Sequence, residues 1–330
     1  MKKAVYIFSE GDLQRKDNTL RFKMKEGNKY LPVEDISDLF IFGEVSINKS
    51  LLEFVSQKEI LIHYFNYYGY YMGTFYPREH LNSGYMILRQ AEHYLDNTKR
   101  FKIAKAFVEG AVANIKRVLR YYYSRGKNVG AALQNIEDLE QGLPECKAID
   151  ELMAIEGNIR NYYYNAFDNI LENEDFVFEQ RTRRPPQNYL NCLISFGNSI
   201  IYTIILSEIY RTHLDPRIGF LHATNFRRFS LNLDVAEVFK PILVDRLIFT
   251  LIGKKMITKS EFERHTEGIL LKESGKKKFV DELDKRLKTT IKHRNIGREV
   301  SYRRLIRLEL YKLQKHLMGE ELYEPFIAKW

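Results

Sequence analysis

Three short stretches far apart in this chain carry the residue types of a metal centre. They are the pair Glu156-Gly157, the run Gly219-Phe220-Leu221-His222, and the segment Asp234-Val235-Ala236-Glu237. Together they offer two or three carboxylates and one imidazole. Hard carboxylate oxygens bind Mg²⁺ or Mn²⁺, and a single histidine tilts that preference toward Mn²⁺. With 52 Lys and Arg against 43 Asp and Glu, a formal charge of +9, the protein favours polyanionic partners. A divalent cation in a basic protein points to work on phosphodiesters.

Each piece has a plainer reading. Glu156, Arg160 and Tyr163 follow i, i+4, i+7 and share one helix face, with Leu152, Ile155 and Ile159 turned inward, but an exposed Glu–Arg pair at that spacing is common and contributes only a few tenths of a kcal/mol. His222 taken alone is more often structural than a ligand. Asp234 and Glu237 stand at i, i+3 on one face, where mutual repulsion invites a cation unless water screens it.

These residues must be positioned by a chain of 330 residues that is 45% hydrophobic and 29% charged, a globular composition with room for two domains. The predicted fold class is α+β, a small amino-terminal β domain over residues 1–80 followed by a larger all-α catalytic domain over 81–330. Strands are expected at Ala4–Phe8, Thr19–Met24, Leu39–Phe42 and Ile60–Phe65. A helix is expected over Asn48–Ser56, capped by Asn48. The aromatic run from Tyr64 to Tyr71 reads as two strands around a turn at Tyr68-Gly69. After Pro77 the apolar period becomes helical through Ile103, Phe107, Val112, Ile115 and Leu119, with breaks at Gly126–Gly130, Gly142–Pro144, Arg184–Pro186, Gly253 and Gly275.

No uninterrupted apolar stretch of membrane-spanning length is read, and Met1-Lys2-Lys3 leads directly into strand-like alternation, so a cytoplasmic protein without a membrane is expected. Cys146 and Cys192 are isolated and have no zinc spacing. Positive charge gathers near the end, at Lys276, Lys285, Arg286, Arg294 and Arg298. It continues at Arg303 and Arg307 on a helix whose apolar face is Ile306, Leu310, Leu313 and Leu317. A solvated charged face is the plain reading there. Phosphate contact is the expectation for part of it, and for Arg181, Arg183 and Arg184.

The ordered set then matches a known pattern. Glu-Gly with Arg160 and Tyr163 following, Arg-x-Arg-Arg-Pro-Pro with Asn191 beyond, Asp-Pro-x-Ile-Gly-Phe-Leu-His, and Asp-x-x-Glu-x-Phe-x-Pro resemble the "Cas one" spacer-acquisition integrases of CRISPR systems. The resemblance implies metal ligands at Glu156, His222 and Glu237, with Asp234 as a nearby acid that orients a neighbouring donor or a bound water. It implies Mg²⁺ or Mn²⁺ as cofactor, double-stranded DNA as substrate, a homodimer, and a small "Cas two" partner in a larger integration complex. Lys240-Pro241 stands where Arg-Pro is common in the family, and lysine lacks arginine's bidentate fork for phosphate. A tyrosine recombinase using one of Tyr162, Tyr163 or Tyr164 is the rival chemistry. A non-catalytic DNA-binding scaffold and a basic membrane-surface protein are the rival classes.

Overall fold

In the computed structural model the chain divides into two compact units, Met1–His80 and Leu81–Trp330. The structure describes residues 2–78, 81, 83–224, 229–266, 268–293 and 297–329; Arg294 therefore lies outside the described residues.

The amino-terminal unit contains β1 (Lys3–Ile7), β2 (Gly11–Lys16), β3 (Thr19–Met24), β4 (Gly27–Pro32), β5 (Ile36–Ile41), β6 (Val45–Ile47), α1 (Lys49–Gln57), β7 (Leu61–Phe65) and β8 (Tyr71–Phe75). One sheet runs β1-β5-β7-β8, with the first three strands parallel, and the other runs β4-β3-β2-β6. Leu13, Leu20 and Phe22 from the second sheet join Leu39, Ile41 and Ile62 from the first, and Leu51, Phe54 and Val55 of α1 close this core. Asn48 caps α1 as its sequence requires, accepting from the Leu51 amide at 2.9 Å. Gly69, at φ +82°, turns the chain between β7 and β8, where the Tyr70 amide donates to the Asn66 side chain at 2.9 Å. Strands β2, β4 and β6 were not expected from the sequence. Only Leu13 of β2 is buried, and β4 is a mostly exposed edge, so neither shows the clean alternation of a half-buried strand.

The second unit contains α2 (Gly84–Leu95), α3 (Asn97–Tyr123), α4 (Gly130–Glu140), α5 (Ile149–Asn165), α6 (Phe167–Leu171), α7 (Tyr189–Ile209), α8 (Leu231–Lys240) and α9 (Arg246–Gly253). After these come β9 (Phe262–His265), β10 (Gly268–Leu271), α10 (Glu273–Lys288), β11 (Thr290–His293), β12 (Arg298–Ser301) and α11 (Tyr302–Met318). The unit is therefore not purely helical: β9–β10 and β11–β12 are two-stranded hairpins. Gly275 is not a break. It lies in the first turn of α10, where a Cβ would fall 2.5 Å from a methyl of Leu271, so close packing accounts for the glycine. Helix α7 is long and apolar enough to cross a membrane by length and composition, but its apolar run is interrupted by Asn191, Asn198, Thr203 and Glu208 and most of it is buried inside the domain as a core helix.

Helix α8 packs against α3 and α7 and carries the third acidic motif. Pro241 cannot donate to the Glu237 carbonyl, and the chain widens into a π turn, Pro241–Asp245, before α9. Asn114, fully buried on α3, donates to the Val238 carbonyl at 2.9 Å and to the Phe326 carbonyl at 2.9 Å, and accepts from the Ala328 amide at 2.9 Å. The segment after α11 is thereby strapped across α3 and α8. Phe326 stacks on Phe239 with centroids 5.6 Å apart, Pro325 fills the space over Gly110, and the Tyr323 hydroxyl donates to buried Glu309 at 2.7 Å.

Asn114→Ala leaves buried backbone groups on both α8 and the strap without partners. It should cost about 1–3 kcal/mol of stability. Urea unfolding monitored by circular dichroism checks this, and an unchanged midpoint would remove Asn114 from the role of joining the two segments.

Candidate metal centre

Asp234 sits in the first turn of α8 and is fully buried. Its carboxylate accepts from the backbone amides of Phe220, Leu221 and His222 at 2.5, 3.0 and 2.9 Å, and from His222 Nδ1 at 2.8 Å. Both oxygens are saturated by these donors. Asp234 thus holds the 219–222 loop against the start of α8 and is not itself turned to a shared ion, the arrangement its i, i+3 spacing with Glu237 had allowed. Gly219 makes this approach possible, because a Cβ there would lie 2.8 Å from the Asp234 carboxylate and 2.7 Å from the Ser230 backbone. Ser230 adds a second clasp, accepting from the Gly219 amide at 2.8 Å and donating to the Arg217 carbonyl at 2.7 Å.

With Nδ1 donating to Asp234, His222 keeps Nε2 as its ligand nitrogen. This is the orientation that metal-binding histidines receive from a supporting carboxylate. Burial alone would lower the His222 pKa, but the hydrogen bond and the charge of Asp234 outweigh it and raise the value above 6.5.

Two carboxylates converge nearby. Glu156 projects from α5 and Glu237 from the last turns of α8, and the Arg160 guanidinium bridges them, with Nε donating to Glu156 Oε1 at 2.7 Å and Nη2 donating to both acids. Lys240 Nζ donates to the other oxygen of Glu237 at 2.6 Å. Burial pushes the Glu237 pKa up, yet Arg160, Lys240 and His222 together hold it down at about 2. Among the described residues no three acids, histidines or cysteines close on one point as a finished cation cage. The donor set nevertheless fits a hard divalent cation, since it comprises two carboxylates and an imidazole fixed by Asp234 at its other nitrogen. Arg160 and Lys240 supply the positive charge that the two acids need.

Behind the pair lies Asp245, at the end of the π turn. It is fully buried, and among the described residues neither of its oxygens closes a hydrogen bond of normal geometry, though the Tyr163 hydroxyl faces it closely enough to interact. Burial raises its pKa to about 7 against the opposing pull of Arg160 and Lys240. Sequence reasoning missed Asp245. The available signal was Pro241, which forces a change of helical register just after Glu237 and carries Asp245 inward.

Several expected DNA contacts are placed elsewhere. Tyr163 is fully buried, packed edge-on against Phe167 at 5.0 Å, so it belongs to the core and is closed to DNA and to nucleophilic attack alike. Lys240 is 4% exposed and serves Glu237 as an internal counter-ion. Arg160 is mostly covered and bound to both acids. Arg303 and Arg307 do not lie on a free charged face: their Nε atoms donate to the two oxygens of buried Glu208 at 2.8 and 2.7 Å, tying α11 to α7. Arg181 is tied to α7 through Asn191 at 3.0 Å and Ser195 at 3.1 Å. Arg183 and Arg184 are exposed.

The family model for "CRISPR associated protein Cas1" matches residues 5–285. The chain belongs to the Cas1 family. It is 61% identical over 330 residues to a CRISPR-associated endonuclease Cas1 of Thermodesulfovibrio yellowstonii, covering all of both chains. A solved Cas1 structure from Thermotoga maritima superposes with a TM-score of 0.89 at 48% identity, over 98% of this chain and all of that one. A casposase bound to its integration product shares the fold at the same TM-score, 22% identity and coverage of 99% and 94%. The Cas1 fold thus holds the α+β expectation, corrected for the two added hairpins.

Because Asp234 raises the His222 pKa, the stability contributed by their pair is full below the unfolded histidine value and is lost as pH rises through the raised folded value. In metal-free Asp234→Asn the His222 pKa should fall toward or below 6.5, since the ring then loses both the charged acceptor and its field. Imidazole titration by NMR checks this. An unmoved pKa would mean that Asp234 does not orient the ring.

Proposed function

We propose that this protein is a DNA integrase and endonuclease that joins short foreign duplexes to a CRISPR repeat array, with Glu156, His222 and Glu237 as ligands for Mg²⁺ or Mn²⁺. The observation that carries this reading is the hydrogen bond between His222 and the fully buried Asp234. It fixes the imidazole by Nδ1 and leaves Nε2 for a ligand, an arrangement that core packing alone does not call for. Membership of the Cas1 family supports it.

A divalent cation bound there would act as a Lewis acid, stabilising negative charge on the phosphoryl oxygens. The remaining work belongs to the chain. Glu156 and Glu237 place two negative charges at one point, and Asp234 keeps the His222 tautomer and aim constant. Arg160 and Lys240 hold Glu237 ionised, and Arg160 also pairs with Glu156, so both would remain as fixed positive charge beside the reacting phosphate. In the reaction, a terminal 3′-hydroxyl oxygen forms a new bond to phosphorus at the repeat edge while the bond from phosphorus to the departing 3′-oxygen breaks. The number of phosphodiesters is conserved, so no energy source is needed. No covalent protein intermediate is required, which agrees with the burial of Tyr163.

The working assembly in this reading is a homodimer joined by the small "Cas two" protein, holding double-stranded DNA. The exposed Arg183 and Arg184 remain its candidates for backbone contact.

Glu156→Ala should lower strand joining of a labelled duplex to a repeat-bearing plasmid by at least about a hundredfold, the scale of removing a charge-stabilising element, while leaving duplex affinity nearly unchanged. Joining at the parent rate would sink the site. Glu237→Gln should lose Mn²⁺ affinity and joining together, whereas Asp234→Asn should slow joining more than it weakens Mn²⁺ binding. Calorimetric Mn²⁺ titration decides between these roles, and loss of the ion in Asp234→Asn with retention in Glu237→Gln would reverse them.

A further inference from the structure

Behind the acid pair, four buried polar atoms close no hydrogen bond of normal geometry: Nη1 of Arg160, the hydroxyl of Tyr163 and both carboxylate oxygens of Asp245. Arg160 and Tyr163 lie one turn apart on α5, and Asp245 ends the π turn that follows α8. The three are neighbours. The Tyr163 hydroxyl faces Asp245, and burial raises the Asp245 pKa to about 7 with Arg160 as the strongest opposing influence. Two donors and two acceptors thus share one buried place without using each other. Buried polar groups left in that condition are costly, and the cost is explained when a second arrangement of the same side chains pairs them.

The other edge of Arg160 is what keeps them apart. Nε and Nη2 donate to Glu156, and Nη2 also donates to Glu237, so that nitrogen stands where the two carboxylates converge. A cation that took both acids as ligands would have to take its place. The displaced guanidinium, mostly covered by the fold, would then need another anion, because a buried charge deprived of its partner is strongly destabilising. The other buried acids are committed: the loop amides and His222 saturate Asp234, and Arg303 and Arg307 hold Glu208. Among the described residues, Asp245 is the buried carboxylate with neither oxygen engaged in a normal hydrogen bond. We propose that Asp245 is a positioning residue for the metal centre, the counter-ion to which Arg160 turns when a divalent cation takes Glu156 and Glu237. In the metal-free protein Arg160 holds the two acids together. In the loaded protein the guanidinium, with the Tyr163 hydroxyl, closes on the Asp245 oxygens, and its charge stays within the cluster. Lys240 keeps its place throughout, since it donates to the other oxygen of Glu237. Asp245 therefore touches neither the ion nor the DNA, and it sets cation affinity by receiving the group that must leave.

This role for Asp245 rests on the metal-binding function proposed above, and one set of titrations separates the two. Mn²⁺ is titrated by calorimetry into the parent, Asp245→Asn, Arg160→Gln and the double variant, with thermal unfolding of each metal-free protein. Asp245→Asn should weaken Mn²⁺ binding by about 10- to 100-fold, the scale on which groups supporting metal ligands act. Its metal-free unfolding midpoint should be no lower than the parent's, since an unpaired buried carboxyl has been removed. In the Arg160→Gln background the same substitution should change Mn²⁺ affinity by no more than about twofold, because the group that Asp245 receives is gone. Parent affinity in Asp245→Asn overturns the role. An equal loss in both backgrounds also overturns it, because Asp245 would then act on the ion directly. So does a metal-free midpoint lowered along with the affinity, which a purely structural residue would give. A parent that binds no Mn²⁺ overturns the metal-centre reading itself. If Asp245→Asn does not fold, the parent decides: the Arg160 Nε–Hε resonance, assigned by its absence from Arg160→Gln, should shift on saturation with Mg²⁺, and an unmoved resonance overturns the exchange.

Discussion

Two carboxylates cannot share a buried corner without positive charge between them, and most of the helical unit's polar architecture answers that demand. Glu156 and Glu237 come from helices far apart in sequence, so any fold that brings them together must supply cations at the same time. Arg160 and Lys240 do so from positions one turn from each acid, on the same helices. The assembly is therefore self-neutralising within two helices. The approach of α5 to α8 is set by charge as much as by packing, since Arg160 of α5 reaches Glu237 of α8.

Asp234 works on a different problem, holding an irregular loop at a defined place. A loop of backbone amides next to a core would leave donors unpaired, and one carboxylate takes three of them together with a ring nitrogen. The result is a histidine on a loop with the constancy of one on a helix. Gly219 is the steric condition, since any side chain there would force the loop off the carboxylate.

The three motifs were legible in the sequence because their residue types and order are distinctive, and so were β3, with its clean alternation, and the short apolar runs β1 and β7. What could not be read was the destination of charge. Arg303 and Arg307 alternate with an apolar stripe as a solvated face would, yet Glu208, itself unremarkable in an apolar helix, draws them inward. Tyr163 keeps helical register with Glu156 and Arg160 but lands in the core, because α6 and α9 cover that part of the face. Asp245 was invisible because its position depends on a π turn that shifts every later residue around the axis. In each case the missing information was a tertiary partner and not a local preference.

The strap from Tyr323 to Ala328 adds an order in time. Helix α8 leaves the ribosome well before the segment that stacks on Phe239 and completes the bonds of Asn114. Until that segment arrives, Asn114 lacks two of its three partners and α8 lacks its outer cover. A nascent or prematurely ended chain thus carries the acids without the frame that holds them in place. Assembly of the frame around Glu237 therefore waits on a segment made well after the helix that carries it.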